Sequence, residues 1–441
     1  MQEVKYTKTD ILSILNFTLP FILMAISNII LQITDRIMLS WYNLQAGVEV
    51  SAAMNGVYLL IYSPNTFLTI MTLILGNYNG VEKYKKIGHN VWNAIWIALF
   101  FYIIILICSH TKLYTYITAD NCEKFGIPYV EILLNYVILI FIDTILSCVF
   151  FAIGKSYIVT TIIWLSSLLN ILFNYVLIFQ YDLGVIGGAY SSVIITLIKI
   201  LILSYFYINL NKKYDLFNCS IDFSTIYDIL YRGSSSAFGH AIELISISFV
   251  YKLLASYGEN NPYLQTGFLI NMFAIVIFNI NCGFERSIGT LASNYLGNND
   301  KKNTLKALRQ IHLIYITFFI IISIISALFF DQILYFLNFI NISKKLYYAL
   351  LYSLICCLIM SFFDGLAWMY VGVLQSMKDV FFSFFANTIS IIVFYVIPSY
   401  LVYIYIEEPV YYFAVRFFIP YTITHCLALF IRVQYLFYYK K

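Results

Sequence analysis

Apolar residues in this chain run in blocks of about twenty or more, and short polar breaks separate the blocks. A run of that length crosses a hydrocarbon layer as a helix, which satisfies its own backbone hydrogen bonds where no water can. The pattern predicts twelve spans, near 11–36, 50–75, 90–110, 127–153, 157–180, 185–209, 226–257, 264–290, 309–330, 346–374, 380–405 and 409–436. A transmembrane barrel would instead alternate apolar and polar positions in segments of about ten residues. The clearest breaks are NYNGVEKYKKIGHN after the second span, NLNKKYDLFNCSIDFS after the sixth and GNNDKKNTLKALRQ after the eighth.

The breaks also repeat. Asn77-Tyr78-Asn79-Gly80 and Asn294-Tyr295-Leu296-Gly297 lie 217 residues apart (77 to 294), each after the second span of its half. Asp143 and Asp364 form a second echo, 221 residues apart (143 to 364), in the fourth span of each half. Six spans per half leave both halves in the same orientation, related by an axis along the membrane normal. The fold expected is therefore an all-α polytopic membrane protein of twelve helices in two six-helix lobes, 1–215 and 216–441, divided in the polar link near 210–225.

Lys and Arg set the orientation. With the N-terminus cytoplasmic, seventeen of them fall inside and five outside (Arg36, Lys112, Lys124, Lys344 and Lys345), with Lys199, Lys252, Arg286 and Arg416 within spans. Both termini are expected in the cytoplasm. The polar opening MQEVKYTKTD, followed by a first apolar run of spanning length, is the pattern of a chain without a cleavable signal peptide.

Composition narrows the classes further. The chain is 61% hydrophobic and 11% charged, and its mean hydropathy is +0.83. A soluble domain is about one quarter charged, so no water-soluble fold fits. The net charge of +4 comes from cations scattered between apolar runs and points to no nucleic acid. Eight Cys and five His show no metal spacing, and the Cys read as buried free thiols. No nucleotide, zincin or nucleophile motif is present, nor a soluble domain to hold one. This excludes an ATP-driven pump and most membrane enzymes.

Against that background, a few polar groups within spans stand out. An ionisable group at membrane depth costs roughly 2.5–3.5 kcal/mol on insertion scales, so it faces protein or a water-filled cavity. Glu243 lies in the seventh span and Asp364 in the tenth, and neither has a basic residue within one turn on its own helix. That suits proton or cation binding, especially if the two meet. His240 precedes Glu243 by three residues and shares its helix face; it could relay a proton, hydrogen-bond the acid, or be a satisfied core histidine. Asp143 repeats Asp364, with a neutral packing role as its other reading. Asp35 closes the first span beside Arg36 and reads equally as a surface ion pair or a cavity group, with Pro20 interrupting the same helix. Asn170 and Asn174 are one turn apart in the fifth span, either as interhelical glue or as a polar patch. Of the 40 Tyr and 38 Phe, most belong to interfacial belts and lipid-facing positions, and a subset could line a cavity for flat cations.

Several stretches, in order, resemble the multidrug and toxic compound extrusion (MATE) transporters, over nearly the whole chain. LPFILMAISNIILQITDRIML looks like that family's opening helix. LLNILFNYVLIFQYDLGVIGGAYSSV is similar to its fifth-to-sixth helix region, with Gly184, Gly187 and Gly188 in the turn. ASNYLGNNDKKNTLKAL is similar to its basic loop after helix eight, and AWMYVGVLQSMKD to its helix ten and the turn beyond.

The resemblance implies antiport: a Na⁺ or H⁺ gradient drives export of organic, often cationic, compounds by alternating access, without a cofactor and as a monomer in the plasma membrane. Its NorM-type subgroup implies a cation site at Glu243 and Asp364, each at the expected distance from Gly258 and from Lys378-Asp379. Other members imply a site on Asp35 and Asn170, with an acid where this chain has Asn174. A coordinating Tyr one turn before the helix-ten Asp is Met360 here. The Asn174 departure shifts the weight of coupling to the C-lobe, while the Met360 departure removes one expected ligand of the C-lobe ion. The runner-up is a lipid-linked oligosaccharide flippase of the same superfamily, which would carry a more basic cleft. A membrane transferase or scaffold would need catalytic groups or large polar loops that the sequence lacks.

Overall fold

The computed structural model describes residues 9–116, 122–215, 219–255, 262–336, 342–406 and 418–439. Helices come in the order α1 (Ile11–Tyr42), α2 (Leu44–Thr69), α3 (Met71–Gly80), α4 (Lys85–His110), α5 (Gly126–Asn135), α6 (Val137–Ala152), α7 (Ser156–Asn174), α8 (Gly184–Ile208), α9 (Asn211–Tyr214), α10 (Phe223–Ala255), α11 (Pro262–Gly297), α12 (Lys301–Leu328), α13 (Phe330–Phe336), α14 (Lys344–Ser376), α15 (Val380–Ile391), α16 (Ile397–Tyr405) and α17 (Phe418–Tyr438). Among the described residues there is no strand.

The twelve expected spans fall on these helices, singly or as end-to-end pairs such as α2–α3, α5–α6 and α15–α16. Seven helical segments among the described residues are long and apolar enough to cross a membrane alone, and the bent pair α5–α6 makes an eighth. Those below that threshold include α10 and α11, which carry Asp228, Arg232, Glu243, Glu285 and Arg286. Their polar interiors, rather than their lengths, set them apart. Gly258, Arg416, Lys5, Lys8, Lys440 and Lys441 and the first residues of the last span lie outside the described residues.

Two spans contain a wider turn. α7 continues as a π-helical turn over Tyr175–Gln180, and a π turn over Ile392–Val396 joins α15 to α16. Pro398, at the second position of α16, accounts for the second one. A proline has no N–H to donate and crowds the preceding turn, so the helix widens there.

The chain folds into two compact units. The first comprises Leu19–Phe238 with Ser293–Asn299; the second takes the start of α1 through Thr18, Gly239–Ala292 and the chain from Asp300. Helix α10 therefore contributes its first half to one unit and its second half to the other.

Within the first unit, the link before α10 is pinned to α4. The Asp222 N–H donates to Asn93 Oδ1 at 2.8 Å, and Ser220 Oγ lies 3.0 Å from His89 Nδ1. Asp222 then caps α10, accepting from the Ser224 N–H and the Thr225 hydroxyl. The Thr225 bond, ahead of the others, holds the Asp222 carboxyl below its usual range. A depressed carboxyl stabilises above its unfolded pKa, so this cap is intact at neutral pH and lost only as pH falls through the folded value.

The repeated loops have one backbone solution. Glu82 and Asn299, again 217 residues apart (82 to 299), both have φ of 58°. Gly154 (φ 75°) and Lys378 (φ 64°) end α6 and α14 in the same way. The two motifs also touch, inside the first unit. Asn79 Nδ2 donates to Asn294 Oδ1 at 2.8 Å. A Cβ on Gly80 would meet the Asn294 backbone carbonyl, and one on Gly297 would meet the Asn77 carbonyl. Glycine at both places lets two helix ends approach backbone to backbone. Gly80→Ala is expected to cost about 1–3 kcal/mol through overpacking, read as a lower melting temperature of the detergent-purified protein. An unchanged melting temperature would show that this approach can relax freely.

Candidate functional site

In the second unit, buried polar groups from α10, α11, α12, α14, α15 and α17 converge. Glu243 and Asp364 are 7% and 9% exposed. Asp364 is held twice: Asn281 Nδ2 donates to Oδ2 at 3.3 Å, and the Trp368 indole N–H donates to Oδ1 at 3.0 Å. Asn281 Nδ2 also donates to the Ser361 carbonyl, which leaves its own Oδ1 buried without a hydrogen-bond partner. Tyr315 donates to the Ser361 and Phe362 carbonyls, in the turn before Asp364. Gly365 is required here, because a Cβ would run into the Tyr315 hydroxyl and lie 2.7 Å from Asn281 Oδ1.

Glu243 has a different environment. Its Oε2 is buried and lacks a hydrogen-bond partner, and His240 Nδ1 stands 3.9 Å away. The His240 ring lies flat on Trp368, with centroids 4.4 Å apart and planes at 9°. Glu243 is within Coulombic range of both Asp364 and Glu285, the latter on α11. Glu285 sits one turn beyond Asn281, with its carbonyl and side chain against Gly372 of α14. Deeper in the unit, Tyr421 donates to Asn387 Oδ1 at 2.7 Å and stacks on His425. Among the described residues no group of three or more His, Cys, Asp or Glu is placed to hold a metal. The site instead offers the carboxylates of Glu243 and Asp364, with Glu285 nearby, and the unpartnered amide oxygen of Asn281. These are hard oxygen donors, suited to a proton or an alkali cation rather than a soft metal.

The first unit holds its own cluster. Asp35 is 8% exposed, while its neighbour Arg36 is exposed, so the acid turns inward rather than pairing with Arg36 at a surface. Asn174 Nδ2 donates to Asp35 Oδ1 at 2.6 Å and to Asn170 Oδ1 at 3.1 Å. Ser192 Oγ donates to Asp35 Oδ2 at 3.1 Å. Asn170 and Asn174 are fully buried, and Asn170 Nδ2 and Asn174 Oδ1 have no hydrogen-bond partner.

Asp143 is separate from both clusters. Lys199 of α8 meets its Oδ2 at 2.6 Å, an ion pair between α6 and α8. The structure thus brings Glu243, His240 and Asp364 together in one unit, gathers Asp35, Asn170 and Asn174 in the other, and gives Asp143 a cation of its own. Sequence reasoning missed Asn281, Trp368, Glu285 and Ser192. Trp368 was accessible, since it lies one turn after Asp364; Asn281 and Ser192 are visible only once helices pack.

Comparison with known proteins follows the same lines. The MatE family model matches twice, over residues 20–176 and 241–401. A MOP superfamily transporter from Pyrococcus furiosus, reported with a binding pocket of reversed polarity, superposes with a TM-score of 0.84 at 14% identity, covering 96% of each chain. A MATE transporter in complex with MaD5 gives 0.85 at 15% identity, covering 99% of each chain. A multidrug resistance MATE family transporter in an outward-facing conformation gives 0.81 at 16%, covering 98% of this chain and 96% of that one. At these identities the likeness is one of fold. No curated protein matches by sequence.

The Asp143–Lys199 pair makes a prediction of its own. Removing one partner of this mostly buried pair, whose side chains are 14% and 15% exposed, strands the other charge and costs up to about 3–5 kcal/mol, while replacing both with apolar residues is near neutral. Asp143→Leu alone is therefore expected to lower stability sharply, and the double change with Lys199→Met to restore it. Thermal unfolding in detergent reads both, and a double variant no better than the single would refute the pairing.

Proposed function

This chain belongs to the MatE family of transporters, and from that premise we propose that it is an antiporter that exports organic, often cationic, compounds in exchange for Na⁺ or H⁺. One observation carries the proposal. Two buried carboxylates on different helices, Glu243 and Asp364, lie within Coulombic range of each other, and Glu243 Oε2 lacks a hydrogen-bond partner. Two such acids repel, and a cation or proton between them relieves both the repulsion and the unsatisfied oxygen.

In the proposed cycle the ion binds at Glu243 and Asp364 in the outward-facing state, with the Asn281 amide oxygen as a further donor. Its binding opposes that of the organic compound, and this negative coupling is what makes exchange possible. Asp35, with Asn170, Asn174 and Ser192, is a secondary site carrying a single carboxylate. The proposed setting is the plasma membrane, with both termini cytoplasmic and the monomer as the working unit. A lipid-linked oligosaccharide is a weaker match. Lys199 and Arg232 are each paired with an Asp, which neutralises two of the cations that a sugar phosphate would need.

Efflux of cationic dyes from proteoliposomes, with Na⁺ and pH gradients imposed separately, tests the proposal. Glu243→Gln with Asp364→Asn is expected to cut gradient-driven efflux at least about tenfold, while Asp35→Asn has the smaller effect. Efflux that survives the double change at full rate would place coupling elsewhere.

A further inference from the structure

A series of contacts through two rings leads from one acid of the second unit towards the other, with one step open. Asp364 Oδ1 accepts from the Trp368 indole, Trp368 lies on His240 at 4.4 Å, and His240 Nδ1 faces Glu243 Oε2 across 3.9 Å. Phe278 meets both rings edge-on, with centroids 6.1 Å away, and braces the stack from the side. The last gap is the only open step. A hydrogen bond needs about 2.9 Å, so a shift of about 1 Å would close it.

The indole N–H is a donor only, and its bond to an ionised carboxylate is charge-assisted. A cation taken up at Asp364 draws charge away from Oδ1 and weakens that bond. The indole is then free to move, and the imidazole packed flat against it moves too, because parting two close-packed rings forfeits their contact. We propose that His240 and Trp368 link the two carboxylates, so that a cation captured at Asp364 releases the ring pair and His240 closes on Glu243 through an Nδ1–H bond. The second acid is then satisfied by an imidazole rather than by a second cation, and the pair of carboxylates takes up one positive charge per cycle. His240 is a positioning residue in this scheme, which rests on the proposed ion site at Glu243 and Asp364 and narrows it: the ion sits on Asp364, and the Glu243 Oε2 is met by His240.

Trp368 is also the reporter. The chain has five Trp, and replacing Trp41, Trp92, Trp96 and Trp164 with Phe leaves an emission signal from Trp368 alone. The purified protein is titrated with sodium chloride against choline chloride at fixed pH, and separately with acid in sodium-free buffer. One of the two titrations is expected to shift the emission. A double-mutant cycle on the midpoint then separates linkage from simple charge attraction. Glu243→Gln weakens cation uptake by Coulomb effects in any background. With His240 in place, that penalty is expected to be at least about fivefold larger than in H240F, which keeps a stacked ring but has no nitrogen. H240N, which keeps a polar group but removes the stack, should behave like H240F and serves if the latter folds poorly. Equal Glu243→Gln penalties in all backgrounds would overturn the linkage. So would a silent Trp368 in a protein whose ion-driven efflux is lost on Asp364→Asn, an outcome that leaves the site assignment standing. Efflux indifferent to Asp364→Asn would remove the assignment itself.

Discussion

A carboxylate inside a membrane protein must be answered, and much of this structure can be understood as a set of answers. Asp143 is met by an ammonium and Asp228 by a guanidinium. Asp35 has the amide of Asn174 and the hydroxyl of Ser192. Asp364 has an amide and an indole. These solutions differ in kind. An ion pair fixes the charge in place and makes its removal costly. Neutral donors hold the anion but leave it able to accept a proton or a cation. Under the proposed function the two clusters with neutral donors are the ones that take part in exchange, and Glu243, whose Oε2 has no hydrogen-bond partner, is the most demanding member.

Helix α10 brings several of these answers onto one rod. It starts at the Asp222 cap, tied to α4 through Asn93. It carries the fully buried Arg232 and its Asp228 partner, then Gly233 against the Phe67 backbone, then His240 and Glu243. A helix with so many interior polar groups is a poor membrane segment by hydropathy. The first half of the helix is secured within the first unit by the cap, the ion pair and close backbone packing.

How much of this could be read in advance depended on range. The spans followed from hydropathy, because that signal is local and sums over about twenty residues. Glu243 and Asp364 stood out because their own helices offer no cation within a turn. At Asp143 the repeat suggested a counterpart of Asp364 or a neutral packing role, because its partner Lys199 lies 56 residues away on α8. The local test left Asp35 undecided, because Arg36 follows it in sequence while the helix turns the two in different directions. The ring pair was half visible: His240 and Glu243 share one helix, but nothing local shows that Trp368, on another helix, would be laid against the histidine.

The internal repeat shows what the fold holds constant and what it lets vary. Turn geometry is shared, down to the same φ at Glu82 and Asn299, because a helix leaving the membrane has few ways to terminate and reverse. The family model likewise matches each half once. The buried chemistry is not shared. The Asp35 cluster of one unit holds a single acid among amides, while the cluster of the other places Asp364 and Glu243 at the two ends of a stacked tryptophan and histidine. A side chain facing the interior answers only to its immediate neighbours, so duplicated helices can keep one backbone and acquire different charges. Positions 143 and 364 make the point: both are Asp in the fourth span of a half, and Lys199 beside one of them makes it half of an ion pair, while the other is held by neutral donors.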